Sequence, residues 1–196
     1  MKKKYDIILS AEETFARSVA LGMVAKRPLT PWHYLIPGMF ILDFLRRSSE
    51  IRRYAKHFMF SRELAINAAR DIINGEDTDN RLLRAEEEIK EWLRSLNLYS
   101  MSLHQSQMEE VTLLIGQYCK LLNAEGDSYH SLIRNACNNR ENYEAYVRQL
   151  SSVGKEVDRA IVEKQGDTQA LRERLLAEQE QVERLRKKEV DIIFWA

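Results

Sequence analysis

The chain has 196 residues, 30 Lys and Arg against 30 Asp and Glu, and therefore a formal net charge of zero. This balance gives no support for a nucleic-acid partner, because such partners select strongly basic surfaces. Only 7 Gly and 3 Pro occur, which leaves few turn residues for a many-stranded sheet. The composition therefore predicts an all-α protein.

Charge is divided unevenly along the chain. Residues 1–75 hold 13 Lys and Arg and 7 Asp and Glu, a balance of +6, whereas residues 76–196 hold 17 and 23, a balance of −6. The polar stretch NGEDTDN, residues 74–80, lies at this division. We therefore predict a basic N-terminal helical unit, 1–75, and an acidic antiparallel helical bundle or coiled coil, 76–196. A basic unit is attracted to anionic lipid or to an acidic partner.

Three helical segments are predicted in the N-terminal unit. The sequence SAEE, residues 10–13, has the pattern of a capping box and predicts a helix from Ser10 to about Lys26. Pro31 at a first helical position predicts an apolar helix over 31–46, which Pro37 would bend. After Arg47 an amphipathic stripe continues toward the polar stretch.

The C-terminal unit shows apolar residues at alternating steps of three and four, a spacing typical of bundle or coiled-coil packing. Gly126 predicts a helix end, with Asp127 or Ser128 as the next cap. We predict that Arg184, Arg186, Lys187 and Lys188 lie on a solvated face of the last helix. Long antiparallel helices are predicted over residues 82–96, 101–122, 128–161 and 169–192.

Motifs for catalysis or cofactor binding do not occur in the sequence. The 7 glycines are scattered singly, which excludes a P-loop, a dinucleotide fingerprint and a nucleophile elbow. No histidine has the Glu-x-x-His spacing of a carboxylate metal site. We predict no catalytic residue, cofactor or metal, and a protein that is not an enzyme. A pocket built by tertiary contacts alone would instead appear as a polar cavity with convergent carboxylates or histidines.

The cysteines and the N-terminus favour a cytoplasmic protein. Cys119 and Cys137 lie among apolar residues in no metal-binding spacing, which predicts reduced core cysteines. The apolar run at residues 7–9 is too short for a secretory signal.

The segment KRPLTPWHYLIPGMFILDFLRR, residues 26–47, carries the functional hypothesis. Its apolar residues cover every direction of a helical wheel, so the helix must be buried in protein or in lipid. From residue 31 to 45 it would be about 22 Å long at about 1.5 Å per residue, short of the roughly 30 Å hydrocarbon core of a bilayer. This length and Asp43 exclude a simple span.

Two interpretations of the segment remain open. In the first, a non-enzymatic interaction or scaffold protein attaches peripherally or monotopically to lipid headgroups at the cytoplasmic face of a membrane through residues 32–45. In the second, a soluble helical scaffold or homo-oligomer uses residues 31–45 as a core or subunit-interface helix. The predicted membrane or partner contacts are Trp32, Tyr34, Leu35, Ile36, Met39, Phe40, Ile41, Phe44, Leu45, Arg46, Arg47, Phe194 and Trp195.

The C-terminal stretch VDIIFWA, residues 190–196, is a second apolar feature. Left exposed, it would be prone to association. We expect it to dock against the N-terminal apolar unit, with a second contact for lipid or a protein partner as the alternative.

Overall fold

The structure, a computed structural model, describes the backbone of residues 1–25 and 39–195 and the side chains of residues 1–24 and 48–195. Within these ranges the protein is all-α, as the composition predicts. The described helices are α1 (Lys2–Ala25), α2 (Met39–Ile73), α3 (Thr78–Ser95), α4 (Met101–Asn123), α5 (Tyr129–Cys137), α6 (Arg140–Gln165) and α7 (Gln169–Trp195).

The long helices form a bundle in which α2 packs most extensively on α1 and α4. Helix α1 runs antiparallel to α2, because the Tyr5 hydroxyl donates to Asn67 at 2.9 Å while the Phe15 and Phe58 rings lie 6.1 Å apart. Helix α6 packs on both α4 and α7 and runs antiparallel to each. The predicted antiparallel packing of long helices is therefore confirmed.

One hydrophobic cluster continues through the bundle. It includes Ile8 of α1, Ile66 of α2, Leu114 of α4 and Ile193 of α7, each no more than 1% exposed. Residues on both sides of position 75 thus pack in the same core. The assignment of 1–75 and 76–196 as separate units stays a prediction from charge and composition.

Helix α1 begins eight residues before the predicted start. Ser10 lies inside the helix, where its carbonyl oxygen accepts a bond from the Thr14 hydroxyl at 2.8 Å, so the predicted capping box at residues 10–13 is wrong. Tertiary contacts hold the earlier turns in place: Ile8 is fully buried, and the Lys4 ammonium donates to the Leu122 carbonyl at 3.2 Å. Buried contacts outweigh a local capping pattern here.

Helix α2 is continuous from Met39 to Ile73. The apolar residues from position 39 onward and the amphipathic stripe after Arg47 therefore belong to one helix. The proposed bend at Pro37 and the first part of the predicted helix over 31–46 lie outside the described residues. The predicted turn after α2 is present: Gly75 adopts a positive φ of 100°, and Asp77 caps α3 by accepting from the Asn80 amide at 3.0 Å.

The long helix predicted over 128–161 is divided into α5 and α6. Ser128 is the N-cap of α5, accepting from the Ser131 amide at 3.2 Å, which confirms one of the two predicted caps. Asn138 then takes a positive φ of 64° and ends α5, a conformation that asparagine tolerates better than most residues. Asn139 caps α6, so two consecutive asparagines make the break.

Two further features of the bundle are plain. Both cysteines are free, Cys137 buried and Cys119 half-buried, as predicted for core cysteines. Among the described helices, none combines the length and apolar character needed to cross a membrane.

Close packing of α1 on α7 depends on Gly22. A Cβ atom at this position would overlap the amide group of Gln181, which is 4% exposed and donates to the Ser18 carbonyl at 3.1 Å. We expect Gly22→Ala to lower the free energy of unfolding by about 1–2 kcal/mol through overpacking. Urea denaturation followed by circular dichroism measures the change.

Gly116→Ala is the matched control. A Cβ atom at Gly116 would meet nothing within 4 Å, so this substitution should stabilise α4 by up to about 1 kcal/mol through helix propensity. Equal effects of the two substitutions would contradict the packing role of Gly22.

Candidate functional site

A cleft of about 1070 Å³ opens between α2, α4, α6 and α7, with residues of α1 and α3 at its edges. Ligand pockets usually measure about 300–1000 Å³, so this cleft is slightly larger than that range. Apolar side chains form much of its walls: Leu96, Leu98, Val147, Leu150, Val157, Ile161, Leu175 and Val182. We call this space the cleft.

The floor of the cleft is a buried ionic cluster centred on Glu12. Its carboxylate accepts from Arg62 Nε at 3.1 Å and from Arg186 Nη2 at 3.3 Å. Glu12, Arg62 and Arg186 are 4%, 5% and 3% exposed and come from α1, α2 and α7. Arg62 and Arg186 also line the cleft. The cluster therefore joins three helices where a purely apolar core would otherwise lie.

A second carboxylate balances the charge of this cluster. Arg186 Nη1 donates to Glu189 at 2.7 Å, and the Tyr143 hydroxyl donates to the same Glu189 oxygen at 2.8 Å. Aromatic rings cover the guanidinium groups: Arg62 lies 3.9 Å from the centroid of one phenylalanine ring and Arg186 lies 3.8 Å from another. Two arginines thus face two glutamates, with rings in place of water.

The buried charges hold one another in the ionised state. Burial alone would raise the pKa of Glu12, but the guanidinium groups of Arg186 and Arg62 outweigh burial and lower that pKa below its ordinary value. Burial would likewise lower the pKa of Arg186, yet the carboxylates of Glu189 and Glu12 raise it well above its ordinary value. The floor is therefore a charged unit whose members depend on each other.

Six carboxylates line the cleft among the described residues, and three of them come from three different helices: Glu110 of α4, Asp158 of α6 and Glu178 of α7. Arg53 and Arg174 line the same cleft. Burial, with a smaller contribution from Glu178 and Glu110, raises the pKa of Asp158 to about 6, although Gln179 donates to it at 2.5 Å. Burial also raises the pKa of Glu178, in spite of nearby arginines. We call Glu110, Asp158 and Glu178 the carboxylate group.

Gln107 adds an unsatisfied acceptor to the cleft. It is 6% exposed, and its side-chain nitrogen donates to the Ser61 hydroxyl at 3.5 Å. Its oxygen Oε1 has no hydrogen-bond partner among the described residues. A buried acceptor without a donor costs free energy.

Gly154 keeps the wall of α6 open. A Cβ atom at Gly154 would meet nothing within 4 Å, and the residue lines the cleft in the middle of the helix. Any larger side chain would extend into the cleft.

Tertiary contacts alone bring these carboxylates together, in a cleft whose walls are largely apolar. Carboxylates with raised pKa values in a cleft are typical of functional sites. Among the side chains that the structure describes, no three of His, Cys, Asp or Glu are grouped to hold a metal ion. The cleft can offer hydrogen-bond acceptors and negative charge beside an apolar wall.

The contact residues predicted from sequence fall in two separate places. Met39, Phe40, Ile41, Phe44, Leu45, Arg46 and Arg47 lie on the first turns of α2, and their side chains are outside the described residues. Trp32, Tyr34, Leu35 and Ile36 precede α2 and are outside the described residues altogether.

Phe194 and Trp195 lie at the other end of the bundle. Arg62 of α2 and Arg186 of α7 both contact Glu12, so they lie at the same height in the bundle. Arg47 lies 15 residues before Arg62 on α2, and Trp195 lies 9 residues after Arg186 on α7. At about 1.5 Å per residue these positions are roughly 36 Å apart along the bundle. The two predicted contact regions are therefore not brought together.

The C-terminal apolar stretch is mostly docked. Ile193 is fully buried, and the Phe194 ring lies 6.1 Å from that of Tyr143 on α6. Trp195 is 77% exposed, with the Arg140 guanidinium 5.2 Å from its ring centroid. Phe194 thus packs on α6, while Ile192 lines a groove beside α1.

The sequence analysis missed the floor of the cleft. Arg186 was assigned to a solvated face, and this is wrong, because it is 3% exposed. Its spacing indicates the buried position: Val182, Arg186 and Val190 are four residues apart and share one helical stripe. From sequence alone a charged residue is expected at the surface, because its partner on a distant helix is not visible.

No protein-family model, curated protein or solved structure matches this chain.

Removing the central carboxylate tests the ionic floor. We expect Glu12→Gln to lower the free energy of unfolding by about 3–5 kcal/mol, since two buried arginines lose their shared counter-charge. Glu13→Gln, one position along on the exposed side of α1, should change it by less than about 0.5 kcal/mol. Urea denaturation of both variants measures the difference, and a small loss for Glu12→Gln would contradict this account.

Asp158 is expected to make stability depend on pH. Its pKa rises from the ordinary 3.8 to about 6 in the folded protein, so the folded protein binds more protons between these values. The destabilisation is complete above pH 6 and disappears as the pH falls below the ordinary pKa. We expect Asp158→Asn to stabilise the protein at pH 7 by about 1–2 kcal/mol, allowing for partial exposure.

Thermal and urea unfolding between pH 4 and pH 8 check this expectation. The increase in the free energy of unfolding caused by Asp158→Asn should become steadily smaller as the pH is lowered. Glu109→Gln, an exposed carboxylate on α4, should show no such trend, and an advantage that is constant with pH would refute the assignment.

Proposed function

We propose that the chain is a non-enzymatic interaction protein that attaches peripherally or monotopically to the cytoplasmic face of a membrane through residues 32–45. The helical remainder, with a balance of −6 over residues 76–196, offers an acidic surface to a protein partner. The basic N-terminal half supports the orientation, because anionic lipid attracts Lys and Arg near the surface.

The observation that carries the proposal is the course of α2. This helix runs without a break from Met39 to Ile73, and the first buried side chain described along it is that of Met59. Met39 and Met59 are twenty residues apart, which corresponds to roughly 30 Å of helix at about 1.5 Å per residue. The apolar start of α2 is therefore carried on a rigid helix whose far half is anchored in the core.

Exposed basic residues lie between the apolar start and the anchored half. Arg52, Arg53 and Lys56 are all exposed on α2, a few residues beyond the apolar stretch. Each Lys or Arg near an anionic surface contributes about 1 kcal/mol to attachment. Shallow insertion of apolar side chains together with these charges gives the two contributions that peripheral attachment requires.

The competing proposal is a soluble helical scaffold or homo-oligomer in which residues 31–45 form a core or subunit-interface helix. A helix that is apolar on all sides can equally well be buried against a second copy of the chain. If this alternative is correct, the purified protein forms a monodisperse oligomer in solution without detergent.

Vesicle flotation tests membrane attachment. We expect the full chain to float with vesicles that contain anionic lipid, and more weakly with neutral vesicles. Phe40→Asp should release the protein while its circular dichroism and cooperative unfolding are retained. Leu83→Asp is the matched control, because Leu83 is 60% exposed on α3 and does not belong to residues 32–45; this variant should float as the parent chain does.

The outcomes separate the two proposals. If neither kind of vesicle carries the protein and light scattering shows a discrete oligomer that Phe40→Asp unfolds or dissociates, membrane attachment is rejected in favour of the scaffold. Replacing Arg52 and Lys56 by Gln should weaken binding to anionic vesicles at least tenfold. An unchanged affinity would remove the electrostatic part of the proposal.

A further inference from the structure

The turn after α2 contains a chemically reactive pair of residues. Asn74 is the only asparagine in the chain that precedes a glycine, and both Asn74 and Gly75 are exposed. A backbone nitrogen can attack the side-chain carbonyl carbon of a preceding asparagine and close a five-membered ring. Glycine allows this attack best, because it has no Cβ atom to hinder its nitrogen and the widest choice of backbone conformations.

The surroundings leave this pair open to reaction. Gly75 adopts a positive φ of 100°, and a Cβ atom placed on it would meet nothing within 4 Å. Among the described residues, none forms a hydrogen bond with the side-chain amide of Asn74. Neighbouring side chains therefore neither cover the Gly75 nitrogen nor hold the Asn74 amide away from it.

Two backbone hydrogen bonds oppose the reaction. The Gly75 N–H donates to the Ile72 carbonyl at 3.0 Å, and the Glu76 N–H donates to the Asp71 carbonyl at 3.1 Å. This is the pattern of a Schellman motif, which here ends α2. The Gly75 nitrogen reacts only after its N–H has left Ile72. Because helix ends open at a small free-energy cost, the motif slows the reaction without preventing it.

From this geometry we infer that Asn74 is a site of spontaneous deamidation, a covalent modification that requires only water and the opening of the last turn of α2. The Gly75 nitrogen bonds to Cγ of Asn74 and loses its proton, and the side-chain nitrogen leaves as ammonia, which gives a succinimide ring. Water then adds to one of the two ring carbonyl carbons and breaks its bond to the Gly75 nitrogen. The net change is hydrolysis of an amide to a carboxylate and ammonium.

The two ring carbonyls give different products. Breaking the bond at Cγ gives aspartate, whereas breaking it at the backbone carbonyl gives isoaspartate, in which the chain runs through the former side chain. Either product adds a carboxylate at the C-terminal end of α2, where the helix dipole disfavours negative charge. Isoaspartate also lengthens the backbone by one carbon atom and displaces the Gly75 and Glu76 N–H groups from the Schellman motif. The modified chain is therefore less stable. This inference does not depend on membrane attachment, since neither Asn74 nor Gly75 belongs to 32–45.

Ageing of the full chain followed by tryptic digestion tests the inference. Trypsin cleaves after Arg70 and Arg81 and releases a peptide, 71–81, that contains both Asn74 and Asn80. After incubation at pH 8 we expect this peptide to gain the mass difference between an amide and a carboxyl group, and fragmentation to place the change at Asn74. Asn80 is also exposed but precedes an arginine, so it should stay unmodified and serves as the internal control. Chromatography should separate two products of equal mass, aspartate and isoaspartate.

Two comparisons check the mechanism and its consequence. Asn74→Gln keeps an amide but would have to close a larger ring, so its peptide should stay unchanged over the same period. The parent chain unfolded in guanidinium chloride should react at least about threefold faster than the folded chain, because the Schellman motif no longer holds the Gly75 N–H. Aged parent chain should unfold at a lower urea concentration than fresh parent chain, whereas aged and fresh Asn74→Gln should unfold alike.

Several results would overturn the inference. Modification of the unfolded chain without any in the folded chain would mean that the Schellman motif protects Asn74 completely. Equal modification of Asn74 and Asn80 would mean that Gly75 takes no part in the reaction. Aspartate as the sole product would indicate direct hydrolysis without a ring. Equal rates in the folded and unfolded chains would contradict the requirement that α2 opens.

Discussion

The structure depends on one buried carboxylate. Glu12 lies between the guanidinium groups of Arg62 and Arg186, and so joins α1, α2 and α7 at the centre of the bundle. Moving such charges out of water is costly, and the cost is recovered only when the partners are correctly placed. Arg186 uses two of its nitrogens for the carboxylates, while its Nε has no hydrogen-bond partner among the described residues. An ionic contact of this kind favours one alignment of the three helices, because sliding any helix by a turn would separate the charges.

That alignment also determines where the cleft lies. Arg62 and Arg186 form its floor, and beyond them α6 and α7 stay in contact while half-buried apolar side chains line the space between. The carboxylate group enters above a floor whose own charges are already balanced. The guanidinium groups of Arg62 and Arg186 therefore lie both in the ionic cluster and at the surface of the cleft.

Helix α2 contributes residues both to the proposed membrane contact and to the cleft. Its first turns carry the apolar residues for which we propose membrane attachment, and its middle turns supply Tyr54 and Arg62 to the cleft. Both regions therefore lie on the single helix α2. The C-terminal aromatic residues lie at the opposite end, where Phe194 packs on Tyr143, and take no part in either region.

The sequence by itself determined the helical class, the helices α3 and α4, a helix cap at either Asp127 or Ser128, and the turn after Ile73, because these depend on composition, apolar spacing and local hydrogen bonds. Only the tertiary structure decided that α1 begins at Lys2, that Asn138 and Asn139 divide α5 from α6, and that Gln181 and Arg186 face inward on α7. The physical reason is the same for the buried polar residues and for the cleft. A polar side chain is stable inside a protein only with partners, and the partners of Gln181 and Arg186 on α1 lie 163 and 174 residues away in the chain.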